Sequence, residues 1–195
     1  MVTYEETEDD KYSWLYENGY GTGPVKKTLD WCASVAGEDW PPNKVLDLGC
    51  GRASLIGHGW KSYTGIDIAS SVIKENRRNF PKSHFVHGSI SETPFDDHEF
   101  DAVFCIDVLE HLPEQIAHES IVEALRVATM GFFSISTRPS YYKSREGEQL
   151  HLTVQPAQWW LRLFEKYGSE VAASRVEKHS VLIWVRHTPL EFEVI

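Results

Sequence analysis

Two spacings of apolar residues alternate along the chain, one helical and one of short continuous runs. Val25, Leu29, Cys32 and Ala36 recur at helical intervals after a Gly-Tyr-Gly-Thr-Gly-Pro stretch rich in turn residues. Residues 45–48 then form a short apolar run closed by glycines, so a helix followed by a buried strand is predicted. Residues 63–68 read as a second strand. Val72, Ile73, Asn76 and Phe80 share one face of the next helix, which Pro81 stops. Residues 84–87 and 102–106 are further strands, and a helix from Pro113 places Ala117, Ile121, Ala124 and Ala128 on one face. Residues 131–136 give a fifth strand, followed by a polar loop over 137–149. A helix near Pro156 carries Trp160, Leu163, Phe164 and Tyr167 as a stripe. The runs 170–176 and 180–186 are close enough to pair as an edge hairpin. Strands joined by crossover helices predict an α/β fold: a doubly wound, mainly parallel sheet with helices on both faces and a C-terminal antiparallel hairpin. Ligands of such sheets sit at the carboxyl ends of the strands.

Composition narrows the class. The chain has 195 residues, 42% of them hydrophobic and 25% charged. That length suits one domain burying roughly 70% of its unfolded surface, without staples. No apolar run approaches the roughly 18 residues of a membrane helix, so a membrane protein is not expected. Cys32, Cys50 and Cys105 are odd in number, far apart and without a CxxC pair, which predicts neither disulfides nor zinc and suggests a reducing cytosol. The acidic N-terminus resembles neither a secretory signal nor a transit peptide, so a cytoplasmic location is expected. Nothing in the sequence sets an oligomeric state.

Charge adds two observations. Lys plus Arg number 19 against 29 Asp plus Glu, a formal charge of -10 and the wrong sign for a general nucleic-acid binder. Glu5, Glu6, Glu8, Asp9 and Asp10 crowd the start, so residues 1–22 are expected to be an acidic, partly mobile segment ahead of a single domain over 23–195. Residues 83–125 hold ten acids and no Lys or Arg.

The sharpest local pattern is Val45-Leu46-Asp47-Leu48-Gly49-Cys50-Gly51-Arg52-Ala53, a strand entering a glycine turn, where absent Cβ atoms let backbone approach a ligand. Asp67 ends the next strand, where a carboxylate can accept from both hydroxyls of a ribose. A nucleoside-containing ligand follows, and Asp47 would repel a pyrophosphate and attract an ammonium. With Gly88-Ser89-Ile90, Thr93-Pro94-Phe95 and Phe100-Asp101-Ala102-Val103, this order of motifs resembles the class I methyltransferases that use S-adenosyl-L-methionine. The resemblance spans about residues 29–135 and implies a Rossmann-like seven-stranded domain. It assigns the cofactor to Asp47, Gly49, Cys50, Gly51, Asp67, Ile68, Ser89, Ile90, Ile106 and Asp107. Ala53 and Ser89 depart from the family's usual Gly and Asp. The interval 52–62 is short for a crossover helix, so a stunted helix or loop is expected.

Methyl transfer to a hydroxyl needs an in-line acceptor and a destination for its proton. Asp107-Val-Leu-Glu110-His111-Leu-Pro113 follows the fourth strand, and a helix begun by Asp107 would put Asp107, Glu110 and His111 on one face. His151 follows the fifth strand. This D-x-x-E-H pattern with a later His resembles the E-x-x-E-H plus His of ubiquinone-biosynthesis O-methyltransferases and small-RNA 2′-O-methyltransferases, which implies a divalent metal (Mg2+ or Mn2+) on Asp107, Glu110, His111 and His151. A metal-free reading, with His111 or His151 as general base and Glu110 beside them, stays open. Substrate contacts are expected from residues 12–22 with Trp14, Tyr16 and Tyr20, from the loop 138–145 with Tyr141, Tyr142 and Lys143, and from Trp159 and Trp160; Trp160 as core and the tyrosines as cover for a sheet edge fit the pattern equally. Three functions remain: an O-methyltransferase of a small molecule, a ribose 2′-O-methyltransferase of RNA or a nucleotide, and a non-catalytic S-adenosylmethionine-binding protein.

Overall fold

A computed structural model describes residues 3–21 and 25–186; Thr22, Gly23 and Pro24 of the expected turn and residues 187–195 lie outside that set. In chain order the elements are α1 (Tyr4–Glu17), α2 (Lys26–Ala36), β1 (Lys44–Leu48), β2 (Ser62–Asp67), α3 (Ser70–Asn79), β3 (His84–His87) and β4 (Phe100–Ile106). They continue with α4 (Glu114–Val127), β5 (Ala128–Ser136), α5 (Ala157–Lys166), β6 (Glu170–Val176) and β7 (Ser180–Arg186). The seven strands form one sheet in the order β3-β2-β1-β4-β5-β7-β6. Strands β1 to β5 run parallel, and β7 pairs antiparallel with both β5 and β6. Among the described residues no helix is long and apolar enough to cross a membrane.

Alternation along the strands builds two cores. Val103 and Cys105 of β4 face Ala117, Ile121 and Ala124 of α4 and Trp160, Leu163 and Phe164 of α5. Ala102, Phe104 and Ile106 face the opposite layer, where Leu29, Cys32 and Ala36 of α2 and Ile73 of α3 pack. Ala128, expected on the face of α4, instead opens β5. Residues 51–59 cross from β1 toward β2 in turns without a helix, in line with their short interval.

The N-terminal acids lie on a helix, with Glu5, Glu6 and Asp10 exposed and Glu8 buried. Thr3 accepts from the Glu6 amide while the Glu6 carboxylate accepts from the Thr3 amide, a capping box that starts α1. Helix α3 has no side-chain cap of its own at Ala69. Instead α1 supplies its acceptors: Asp9 Oδ1 takes the Ser70 amide at 2.7 Å and Ser13 Oγ the Ser71 amide at 3.2 Å. Orphan N–H groups at a helix start require such partners, and this one reaches across from another helix.

Candidate active site

Strand order reverses between β1 and β4, and a crevice opens there at the carboxyl ends of β1 to β4. Its floor is Gly49 after β1, Asp67 and Ile68 after β2, Ser89 and Ile90 after β3, and Ile106 and Asp107 after β4. Gly49 sits at φ +73°, and a Cβ there would lie 2.5 Å from Val108, so the turn is open to glycine alone. Ala53, standing where a third glycine is usual, takes a left-handed φ of 55° and bears the strain that a glycine would avoid. The Asp67 carboxylate accepts from the Gly51 amide at 2.8 Å and the Ala69 amide at 2.9 Å. Burial nevertheless pushes its pKa up.

Three expected cofactor residues stand behind this floor. Asp47 does not line the crevice; it is buried and accepts from the Tyr63 hydroxyl at 2.7 Å, and burial pushes its pKa up to about 7. Cys50 packs into room left by Gly65, and burial raises its thiol pKa. Gly51 donates its amide to Asp67 and accepts from Asn76 Nδ2 at 2.6 Å. These residues shape the turn. The Ser89 hydroxyl reaches the crevice and bonds Ser91 Oγ at 2.8 Å.

The roof is α1, whose start was expected to be an acidic, partly mobile end but whose Tyr16, with Tyr20 just beyond it, was expected to meet substrate; both line the crevice. Tyr4, Glu8, Tyr12 and Tyr16 line the crevice with Tyr20. Their four-residue spacing is a helical stripe, the signal that marks this face. Arg52 fastens it by donating to the Tyr16 carbonyl at 2.9 Å.

At the far end stand Glu110, His111 and His151. Glu110 and His111 belong to a short 3-10 turn, Leu109–His111, and α4 starts only at Glu114. Asp107 is therefore not on a helix face with them: it turns at φ +55° and accepts from Ser134 Oγ at 2.8 Å. Ligand atoms of Glu110, His111 and His151 all lie within 4.8 Å of one another, and Asp107 is outside that group. The Glu110 carbonyl accepts from Leu152 and Thr153, drawing the loop in so that the two imidazole rings stand 4.6 Å apart. His151 Nδ1 meets the Arg138 carbonyl at 2.6 Å and must be the protonated nitrogen, which leaves Nε2 with its lone pair. His111 meets the Tyr12 hydroxyl at 3.0 Å and the Tyr20 hydroxyl at 3.4 Å. Burial first, then His151 and Lys11, hold His111 down to about 3, and burial lowers His151 too. Glu110 Oε1 accepts from the Ser136 amide at 3.0 Å, while buried Oε2 has no hydrogen-bond partner. Burial and Asp107 raise its pKa well above the usual range. An orphan carboxylate oxygen beside two neutral imidazoles fits a divalent cation.

Of the expected substrate contacts, Tyr142 meets Tyr20 edge-on at 5.3 Å and Tyr141 is 82% exposed. Trp160 is fully buried core.

Residues 46–132 match a family profile described as a methyltransferase domain. A probable S-adenosylmethionine-dependent methyltransferase of Mycolicibacterium smegmatis is 32% identical over 97 residues, covering 48% of this chain and 37% of that one. A ubiquinone biosynthesis O-methyltransferase of Cronobacter sakazakii is 28% identical over 159 residues, covering 76% and 61%. The chain thus spans about a third to three fifths of the length of these relatives. Among solved structures, magnesium protoporphyrin IX methyltransferase from Synechocystis PCC 6803 with bound S-adenosylmethionine shares the fold at a TM-score of 0.67 and 16% identity, over 96% of this chain and 99% of that one.

Proposed function

We propose that this chain, whose residues 46–132 match a methyltransferase-domain profile, is a class I S-adenosylmethionine-dependent methyltransferase that methylates a hydroxyl of a small-molecule acceptor, with a divalent cation at Glu110, His111 and His151. The observation that carries this reading is the buried, unpartnered Glu110 oxygen facing two imidazoles, one of which lines the crevice. The name of the ubiquinone-biosynthesis relative supports an oxygen acceptor. S-adenosylmethionine, when bound, supplies a methyl group on a cationic sulfur. A cation such as Mg2+ or Mn2+ at this triad supplies acidity to a hydroxyl.

The rest follows from the chain's own groups. Each Asp67 oxygen already holds one backbone amide and keeps a second lone pair for a ribose hydroxyl. The phenol rings of Tyr12, Tyr16 and Tyr20 cover the crevice and exclude water, which strengthens polar contacts inside. Burial keeps His111 and His151 neutral at pH 7, so both offer lone pairs.

Turnover against catechols, sugars and short RNAs, with and without EDTA, tests the proposal. The expected outcome is methylation of a catechol or sugar that falls about 100-fold or more in EDTA and in Glu110→Ala or His151→Ala. Calorimetric binding of S-adenosylmethionine should persist in all of these. Full activity in EDTA would leave only a histidine base, cofactor binding without turnover would make this a binding protein, and absent binding would sink both.

A further inference from the structure

Three cations act on residues of the crevice and its triad, Lys11 on His111, Arg52 on Tyr16 and Arg138 on His151, and they are of two kinds. Lys11 and Arg52 are neutralised: Lys11 pairs with Glu8 at 2.5 Å and Arg52 with Glu75 at 2.9 Å. Arg138 is not. Among the described residues no carboxylate lies within ion-pair distance of its guanidinium, which makes a single hydrogen bond, to the Pro139 carbonyl at 3.1 Å. The plane is held instead by stacking on Tyr141, 3.8 Å from the ring centroid. A guanidinium carries five donors in a fixed fork, so most of this one faces no protein acceptor.

Its position is set by the active site. The Arg138 carbonyl is the partner of His151 Nδ1, so the residue is one hydrogen bond from the triad. Ser140 and Gln149 tie the same loop together, through Gln149 Oε1 accepting from the Ser140 amide at 2.9 Å. Tyr142, half exposed two residues further on than Ser140, reaches back to Tyr20 on the crevice wall. The loop therefore carries a planar cation without an ion-pair partner, whose charge acts on His151 and Asp107, and an aromatic edge against Tyr20, in a chain whose residues 83–125 hold no Lys or Arg.

We propose that Arg138 selects the acceptor: the substrate is a small, planar hydroxyl compound that also bears an anionic group, carboxylate or phosphate, which the guanidinium holds in a bidentate pair while the hydroxyl lies at the triad. This deepens the proposed methyl transfer and rests on it for the identity of the reacting group. Bidentate charge-assisted pairs are the strong ones, and an acceptor lacking the anion leaves the fork unsatisfied.

The test is equilibrium binding of matched probes to the full chain with S-adenosylhomocysteine present: catechol against 3,4-dihydroxybenzoate, and phenol against phenyl phosphate. The expected result is an affinity about 10- to 100-fold higher for the anionic member of at least one pair. Arg138→Ala should collapse that ratio to near one, and Arg138→Lys should restore part of it. Which pair shows the preference separates carboxylate from phosphate. Equal affinities in the wild type, no binding of either anion, or a preference that survives Arg138→Ala would overturn the inference. A variant that has merely lost its fold is recognised by loss of S-adenosylhomocysteine binding, and the Arg138→Lys ratio then decides. Turnover, read separately on the same probes, addresses the methyl transfer: a preference in binding without any methylation would leave the anion site standing and remove the proposed reaction.

Discussion

Asp47 is the residue most recognisable in the sequence and the least expected in its setting. An acid inside a buried strand suggested a direct grip on the cofactor's ammonium, yet its carboxylate points to Tyr63 of β2 and is out of contact with the crevice. Burial pushes its pKa up to about 7 from an ordinary carboxylate value, so folding favours the protonated form. The contribution to stability is complete below the unfolded pKa near 4 and is lost as pH rises through about 7. Asp47→Asn keeps an acceptor for the Tyr63 hydroxyl and removes the charge. Its melting temperature relative to wild type, without cofactor, should therefore climb by about 5–10 °C between pH 4.5 and pH 8. Any constant cost of packing the amide cancels in that slope, and a flat difference would show the site is not desolvated. His111 works in the opposite direction, stabilising above about 6.5 and losing this as pH falls toward about 3, but it is common to both proteins and drops out. The glycine turn and the strand-end acids were legible because each motif is local. Asp107 was misplaced because its backbone is set by Ser134 on a neighbouring strand, whose carbonyl takes the Asp107 amide at 2.8 Å.

At the scale of elements, the sheet and its helices could be read almost end to end, since period-two and helical spacings report burial directly. Strands β3, β6 and β7 have the bounds that the pattern predicts. Helix α1 could not be read the same way, because its apolar face is made of tyrosines and its acids suggest a solvated tail. Its role depends on what it meets: it caps α3 through Asp9 and Ser13 and roofs the crevice through Tyr4, Tyr12 and Tyr16. Removing the Asp9 acceptor leaves the Ser70 amide unpaired and deletes the contact with His87 at 3.3 Å. By analogy with other lost caps, Asp9→Ala should cost about 1 kcal/mol. Hydrogen exchange should show this as faster exchange in α1 and the first turn of α3, with the amides of β1 and β4 unchanged. S-adenosylhomocysteine should slow exchange in α1 in the wild type and do so less in the variant. Uniform acceleration across the sheet would mean that α1 is part of the global fold and not a separately held roof.

For the whole molecule, many of the acids behind the formal charge of -10 have local partners. Within the run that lacks Lys and Arg, Glu99 pairs with Lys44, Asp97 and Glu123 with Arg126, and Asp101 accepts from the Asn43 and Lys44 amides. Only Asp107 and Glu110 of those ten acids come near the reacting end. At the start of the chain Glu6 caps α1, Glu8 meets Lys11 on the crevice wall and Asp9 caps α3, so these charges are spent locally as well. What weighs against RNA is the net negative charge, with Arg138, Lys143 and Arg145 a short cationic island on one loop. Three phosphate contacts on a single strand limit the dependence of log K on log salt to a slope of about −2. Fluorescence anisotropy of a labelled single-stranded RNA between 25 and 200 mM salt should therefore give weak binding, about 100 µM or poorer at the upper end, with a slope no steeper than that. The triple variant of Arg138, Lys143 and Arg145 to Ala should remove the salt dependence altogether. A steeper slope, or tight binding that survives the triple change, would require a second cationic surface and move the acceptor from a small molecule to a ribose of RNA.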